Sequence, residues 1–416
     1  MINVSEASQI ILSHKQNYGV VSVGLIDSLG RVLKEDVLAD NDFPPFNRVC
    51  MDGIGISFKS FSQGRREYKI EGVQAAGSPQ KSLLDPNNCI EVMTGAVLPV
   101  DTDVVIPYEL IEIVDGVAKV SLDVVTKMQN IHLKGRDKRV GDLLIPKNRK
   151  ITAAEIGVLA TVGKSEVLVA KHPKVLIVST GDELVEVSDV PLQHQIRRSN
   201  VYSLQALLLE LGIVSETKHF VDAKESLSKE IATSLEQYDV LLFSGAVSKG
   251  KFDFIPEVLE TLSVQKLFHR VKQRPGKPFW FGTKVFDRVN KGMDEEKTKN
   301  FDTQKQKMVF AFPGNPVSTY VNCLKYFFPW YEKSVFGQES EMELAHLSVD
   351  FNFMPSMTYF LQVKLHHKEG VLVASPLKGN GSGDLANLAE ADAFLELPQD
   401  RIAFKKGELF PVIRYR

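Results

Sequence analysis

The stretch from residue 174 to 330 constrains the fold more than any other part of the chain. It alternates short apolar runs with segments of helical period: KVLIVST, SNVYSLQALLLELG, IVSETKHF, a helix near 225–237, DVLLFSG, FIPEVLETL, and MVFAFPG followed by a helix. A strand that is apolar at every position has no solvent face. Both faces of its sheet must therefore be covered, and the intervening helices supply the cover. The pattern predicts an α/β domain built on a parallel sheet. Ligands in such sheets bind beyond the carboxyl ends of the strands. Three strand ends here run into polar, turn-prone sequence: VLIVST into GDEL, LLFSG into AVSKGKFD, and VFAF into PGNPVS. In the last of these Asn315 suits a helix cap and Pro316 a first helical position, which leaves N–H groups facing an anion.

The rest of the chain has a different texture. SEASQIILSHK predicts a short amphipathic helix capped by Ser5, with Ala7, Ile10 and Ile11 on its apolar face. Residues 44–145 read as an inserted β-domain, with runs such as GIGISF, CIEVM and DVVIPYEL broken by Gly, Pro and Asn. ITAAEIGVLATVG returns to helical period, with Ile156, Leu159 and Ala160 on one side, and is expected to pack with the first helix. The charged stretch 286–307 has no apolar face and reads as a solvated insertion. From residue 331 onward the pattern predicts a small, separate β-domain.

Bulk properties remove whole classes of function. With 50 Lys+Arg against 52 Asp+Glu, no long polyanion groove is expected, and so no nucleic-acid partner. Cys50, Cys89 and Cys323 are scattered and odd in number, which fits a reducing cytoplasm rather than a disulfide framework or a zinc knuckle. No apolar run reaches the roughly 18 residues of a membrane span, and the start lacks a basic leader.

Several short motifs carry possible chemistry. PPFNRVCMDG, residues 44–53, approaches Asp52 along two stiff prolines, with Gly53 free to take a positive φ; read locally, it is a β-turn before a strand. GAVSKGKF follows a strand as a phosphate loop would, but Phe252 stands where such a loop needs a hydroxyl for Mg²⁺. KQRPGKPF gathers Lys272, Arg274 and Lys277 on a rigid turn, either a solvated basic turn or part of an oxyanion pocket. Asp182, Glu183 and Asp253 at the same sheet edge are oxygen ligands of the kind Mg²⁺ takes. His366 and His367 are adjacent in a strand-like run, so their rings point to opposite faces, and no Ser-His-Asp order is visible.

In order and spacing, PPFNRVCMDG, MTGAVLPVDTDVVIPYE, STGDEL, IRRSN, SGAVSKGKFD, RPGKP and FPGNPVS resemble the molybdopterin molybdenumtransferases, the MoeA type that includes the gephyrin E domain. The resemblance covers nearly the whole chain. It implies four parts: an elongated helical part from 1–43 with 146–172, the inserted β-domain 44–145, a MogA-like molybdopterin-binding α/β domain 173–330, and a C-terminal β-barrel-like domain 331–416. It also implies a homodimer whose sites draw on both subunits, and an upstream adenylyltransferase partner. The implied reaction inserts molybdate into adenylylated molybdopterin, with Mg²⁺ and release of AMP. Alternatives of other kinds are a non-catalytic, gephyrin-like scaffold and a tungstate-inserting relative.

By the same resemblance, Asp52 is the essential acid, carried by the β-domain toward the neighbour's α/β edge, with Thr94 and Asp137 beside it as further catalytic positions. On the α/β side the implied catalytic acids are Glu183 and Asp253, which share metal binding with Asp182. Substrate contacts are implied at Asp182, Ser244, Gly245 and Ser248, at Arg274 and Lys277, at Pro313, Asn315, Pro316 and Ser318, and at Lys364 and Ser382. The chain departs from the family pattern at Ala246 (usually Gly), Arg136 (usually acidic), Arg274 (usually Lys) and Gln362 (often an oxyanion-binding Arg). Lys364 lies two positions from Gln362 on the same strand face: either its ammonium substitutes for the lost guanidinium, or both residues simply decorate an exposed strand.

Overall fold

The computed structural model describes residues 1–247, 253–286, 306–337, 341–379, 381 and 383–416. The chain divides into two compact units. The larger comprises Met1–Val23, Gly30–Lys34 and Leu168–Arg416, and the smaller Gly24–Leu29 and Glu35–Val167.

A six-stranded sheet organises the larger unit, in the order Ser215–Phe220, Val175–Thr180, Val240–Ser244, Gln306–Phe312, Trp280–Val285, Gln265–His269. The first four strands are parallel, as the apolar runs predict. The last two are antiparallel, so the sheet is mixed rather than wholly parallel. An antiparallel neighbour needs no helical crossover, which is why this edge left no strand–helix alternation in the sequence. Successive residues of a strand face opposite ways, and the core divides accordingly. Ile177, Leu242 and Phe310 pack under the helices Ser199–Glu210 and Pro316–Asn322, together with Phe327 and Trp330. Val178, Leu241 and Val309 pack under Lys224–Gln237 and Ile255–Thr261. Residues 287–305 of the charged insertion lie outside the described residues, and its last two residues, Gln306 and Lys307, begin a central strand.

The first helix is Val4–Ser13, and its cap is Asn3 rather than Ser5. Asn3 Oδ1 accepts from Glu6 N at 2.8 Å while Glu6 Oε2 accepts from Asn3 N at 2.9 Å, a reciprocal pair that Ser5 has no acidic partner to form. The helix buries Val4, Ala7 and Ile11 and packs on Phe328–Phe336. The helix Ala153–Thr161, expected to be its companion, belongs to the smaller unit. There it buries Leu159 and Glu155, and Ala160 is exposed.

At the C-terminal end Thr358–Lys368, Val371–Pro376, Glu343–Leu347, Leu409–Arg414 and Ala393–Leu397 close into a five-stranded barrel, the first strand pairing with the last. Leu361, Val363, Leu395 and Phe410 fill it. The strand Gln273–Arg274 adds to this barrel in parallel with Thr358 and Tyr359, which ties the RPGKP turn to it. A buried network holds the turn from beneath. Gln273 Nε2 donates to Asn322 Oδ1 at 2.8 Å and to Pro275 O at 3.0 Å, Tyr326 Oη donates to Gln273 Oε1, and Asn322 Nδ2 donates to Gly276 O at 3.3 Å. Gly276 has φ +89°, and a Cβ there would lie 2.8 Å from both amide side chains.

The smaller unit carries a sheet in the order Val104–Pro107, Gly53–Ile56, Cys89–Val92, Glu67–Gln74, Val117–Val120, Ile111–Val114. Its core is built from Ile54, Ile56, Tyr68, Cys89 and Ile106. Gly53 begins a strand and does not take a positive φ. It is required for another reason: a Cβ would sit 1.9 Å from the Ile106 carbonyl oxygen, so only a hydrogen lets the two strands meet. Among the described residues no helix is long and apolar enough to cross a membrane.

Candidate active site

In the larger unit a cavity of about 800 Å³ opens beyond the carboxyl ends of the strands. Its walls are the strand-end loops. Asp182 and Glu183 follow Val175–Thr180, Ser244 and Gly245 end the next strand, and Pro313, Asn315 and Pro316 follow Gln306–Phe312; Asp253 completes this set. Gly181 has φ +131° and the Glu183 carboxylate folds back over it, so that a Cβ would meet Glu183 Oε2 at 2.6 Å. Ala246 takes a left-handed φ of +52°, a strain of about 1 kcal/mol that glycine would not feel.

Two residues that sequence reasoning missed also belong to this site. Asp222 follows the edge strand Ser215–Phe220 and lines the cavity. It was legible as a fourth polar strand end, but an edge strand with polar faces does not announce itself as part of a covered sheet. Its Oδ1 is buried without a hydrogen-bond partner. Burial, with Asp182, Glu183 and Asp253 nearby, pushes its carboxyl up to about 6. Asn200 is the second. Its Nδ2 donates to Ser244 Oγ at 2.9 Å and to Gly314 O at 2.7 Å, locking two of the loops together. Because Ser244 Oγ already accepts there, its own proton is left to donate to a ligand.

Other sequence-selected residues lie elsewhere. Ser318 is 3% exposed and does not line the cavity. Arg274, Lys277 and Lys364 are not among the lining residues either; the cations that are, Arg197 and Arg198, come from IRRSN. Arg198 is engaged by Glu186 at 2.6 Å, and Arg197 Nε donates to Asp189 O at 3.0 Å. Lys364 has a carboxylate of its own, Asp392 at 3.5 Å, and Gln362 is buried with its Oε1 accepting from Asn387 Nδ2 at 2.9 Å. Ser248 and Ser382 lie outside the described residues, as does all of the SKGKF part, residues 248–252, of the phosphate-loop-like sequence.

Asp52, Thr94 and Asp137 belong to the smaller unit. Asp52 Oδ1 accepts from Thr94 N at 2.6 Å and from Thr94 Oγ1 at 2.7 Å. These two donors hold its carboxyl below the usual range, so it is an exposed, oriented carboxylate. Asp137 Oδ1 lies 2.9 Å from His132 Nε2.

Among the described residues no three acidic, His or Cys side chains converge closely enough to chelate a metal ion by themselves. The cavity's carboxylates are oxygen donors that fit a hydrated Mg²⁺, because that ion keeps several waters and takes few protein oxygens. Asp222 supplies the observation behind this fit: an orphaned oxygen among like charges is relieved by a cation.

The raised carboxyl has a sign that can be measured. Asp222 is neutral in both folded and unfolded chains below its ordinary 3.8, and its contribution to stability is lost as pH rises through about 6. Asp222→Asn is therefore expected to lose less melting temperature than the parent between about pH 4.5 and about pH 7, and to gain less from added Mg²⁺. Identical pH and Mg²⁺ responses in the two proteins would remove Asp222 from the charged cluster.

A covered sheet with an acid-lined cavity at its carboxyl edge and a closed β-barrel, in a chain that also carries a separate β-rich unit, defines a multidomain α/β protein. The chain is 39% identical over 99% of its length to a molybdopterin molybdenumtransferase of Synechocystis sp., covering 99% of that protein. It belongs to the molybdopterin molybdenumtransferase family, of the MoeA type. A relative of the same name from Staphylococcus epidermidis is 30% identical, with 99% of this chain and 95% of that one covered. The family models agree: the MoeA N-terminal region (domain I and II) matches 2–163, the probable molybdopterin binding domain 176–333, and the MoeA C-terminal region (domain IV) 345–415. The crystal structure of the molybdopterin biosynthesis MoeA protein from Pyrococcus horikoshii superimposes with a TM-score of 0.80 at 27% identity, covering 100% of this chain and 99% of that one.

Proposed function

We propose that the protein is a molybdopterin molybdenumtransferase of molybdenum cofactor biosynthesis, inserting molybdate into adenylylated molybdopterin and releasing AMP. The observation that carries this reading is the acid-lined cavity at the strand ends, with Asp182, Glu183, Asp222 and Asp253 on its wall. Surface binding alone gives no reason to gather like charges around a partly desolvated carboxyl, so a purely non-catalytic scaffold is the poorer account.

The residues divide the work. Asn200 fixes the Ser244 hydroxyl as a donor toward the phosphate side of the substrate, and the free edge of Arg197 offers a second donor. Asp182, Glu183, Asp222 and Asp253 would hold Mg²⁺ through its waters. When bound, that ion neutralises charge on the phosphates as AMP departs. Lys272, Arg274 and Lys277 offer cations on a rigid turn to an incoming oxyanion. Asp52, kept ionised and oriented by Thr94, supplies a fixed negative charge for the exchange of ligands at the oxyanion.

The reading includes the four-part division given above, a cytoplasmic homodimer with sites assembled from both subunits, and a preceding adenylyltransferase that makes the substrate. Its test is AMP release from adenylylated molybdopterin, with protein whose dimer mass is verified by light scattering. Release should require Mg²⁺ and an oxyanion, with molybdate and tungstate compared side by side. Well-folded dimer that releases no AMP with either oxyanion would sink the enzyme reading.

A further inference from the structure

In the smaller unit the pair Arg48–Val49 and Ile131–His132 is antiparallel, with Arg48 directly opposite His132. Opposed residues share a face. Arg48 Nη2 lies 3.2 Å from His132 Nδ1, and the ring's other nitrogen, Nε2, lies 2.9 Å from Asp137 Oδ1. A guanidinium donates and never accepts, so Nδ1 must be the acceptor and the ring proton must sit on Nε2, aimed at the carboxylate. We propose that His132 is the positioning residue of Asp137: Arg48 sets its tautomer, its Nε2–H anchors one carboxylate oxygen, and the other oxygen stays open for the substrate.

Asp137 needs such an anchor. Its side chain is 56% exposed, while that of His132 is 23% exposed. The backbone on either side is already fixed, with Gly135 N donating to Pro44 O at 3.0 Å, Asp137 N to Phe43 O at 2.9 Å and Lys138 N to Phe43 O at 3.3 Å. What remains free is rotation about the side-chain bonds, and a single directional donor removes it. Asp52 is treated alike, with both Thr94 donors on Oδ1. Each acid is thus held by one oxygen, His132 doing for Asp137 what Thr94 does for Asp52.

This inference rests on the transferase reading for the consequence of the geometry, and the test separates the two. Nitrogen-15 spectra of the parent protein should show His132 protonated on Nε2 and not on Nδ1, a preference that Arg48→Ala should weaken and that Arg48→Ala with Asp137→Ala should abolish. In the AMP-release assay, His132→Ala should lower kcat about tenfold with KM little changed, the scale of one charge-assisted hydrogen bond. His132→Gln, whose amide reaches the Nε2 position, should recover most of that loss, and His132→Asn, whose amide reaches only Nδ1, should not. Added to Asp137→Ala, His132→Ala should cost nothing further. A proton on Nδ1, equal rates for the Gln and Asn variants, or effects that multiply in the double variant would overturn the assignment. A parent protein with the Nε2–H tautomer that releases no AMP would keep the relay and overturn the transferase reading instead.

Discussion

Asp52→Asn is expected to fold normally and to release AMP about a hundredfold more slowly than the parent, the usual scale for loss of one preorganised charge in a reaction site. The substitution is informative because the asparagine carbonyl can still accept from Thr94 N and Thr94 Oγ1, now at 2.6 and 2.7 Å from the carboxylate oxygen. Geometry is preserved and only the charge is lost. Circular dichroism and the melting temperature should match the parent, because the carboxylate is solvent-exposed. Turnover at the parent rate would return Asp52 to the role of an ordinary surface residue.

The neighbouring residue is expected to behave in the opposite way. Gly53→Ala places a methyl group 1.9 Å from the Ile106 carbonyl oxygen, a backbone atom that cannot rotate aside. The strands Gly53–Ile56 and Val104–Pro107 must then part, at a cost of about 3 kcal/mol for an overpacked, hydrogen-bonded contact. A urea titration should show the midpoint falling sharply, with AMP release lost even where the protein remains folded, since Asp52 moves with the strand. Gly157→Ala is the control: this helix position has no atom within 4 Å of the added methyl, so the change should be neutral or stabilising. Equal stability of the two variants would show that the strand pair tolerates the methyl group.

Glycine 53 also shows how local sequence can mislead about cause. Asp-Gly reads as a turn with positive φ, yet the glycine opens a strand and is needed for close backbone approach. That requirement comes from Ile106, 53 positions away in sequence, and no window around residue 53 contains it. The parallel part of the large sheet was readable because a strand buried on both sides is a continuous apolar run, as residues 175–178 of Val175–Thr180 are. The antiparallel edge, Trp280–Val285 with Gln265–His269, was not, because it carries no alternation with helices. The site followed the same rule. Glu183, Ser244 and Asn315 announced themselves as polar residues after buried strands, whereas Asp222 follows an edge strand of mixed polarity. Asn200 and His132 were hidden for another reason: what each does is defined by atoms it meets only in the folded chain, Ser244 and Gly314 for one, Arg48 and Asp137 for the other.

The turn that carries Lys272, Arg274 and Lys277 separates address from message. Its backbone is located by Gln273, Asn322 and Tyr326, which are sealed from solvent, while Lys272 and Arg274 are exposed and Lys277 is half-buried. The three cationic side chains therefore contribute little to where the turn lies. Charge type can be exchanged here, lysine for arginine or either for a neutral group, without rebuilding the fold, so the charge this turn presents is open to redesign. Altering the amide pair below would move all three cations at once while leaving their chemistry untouched.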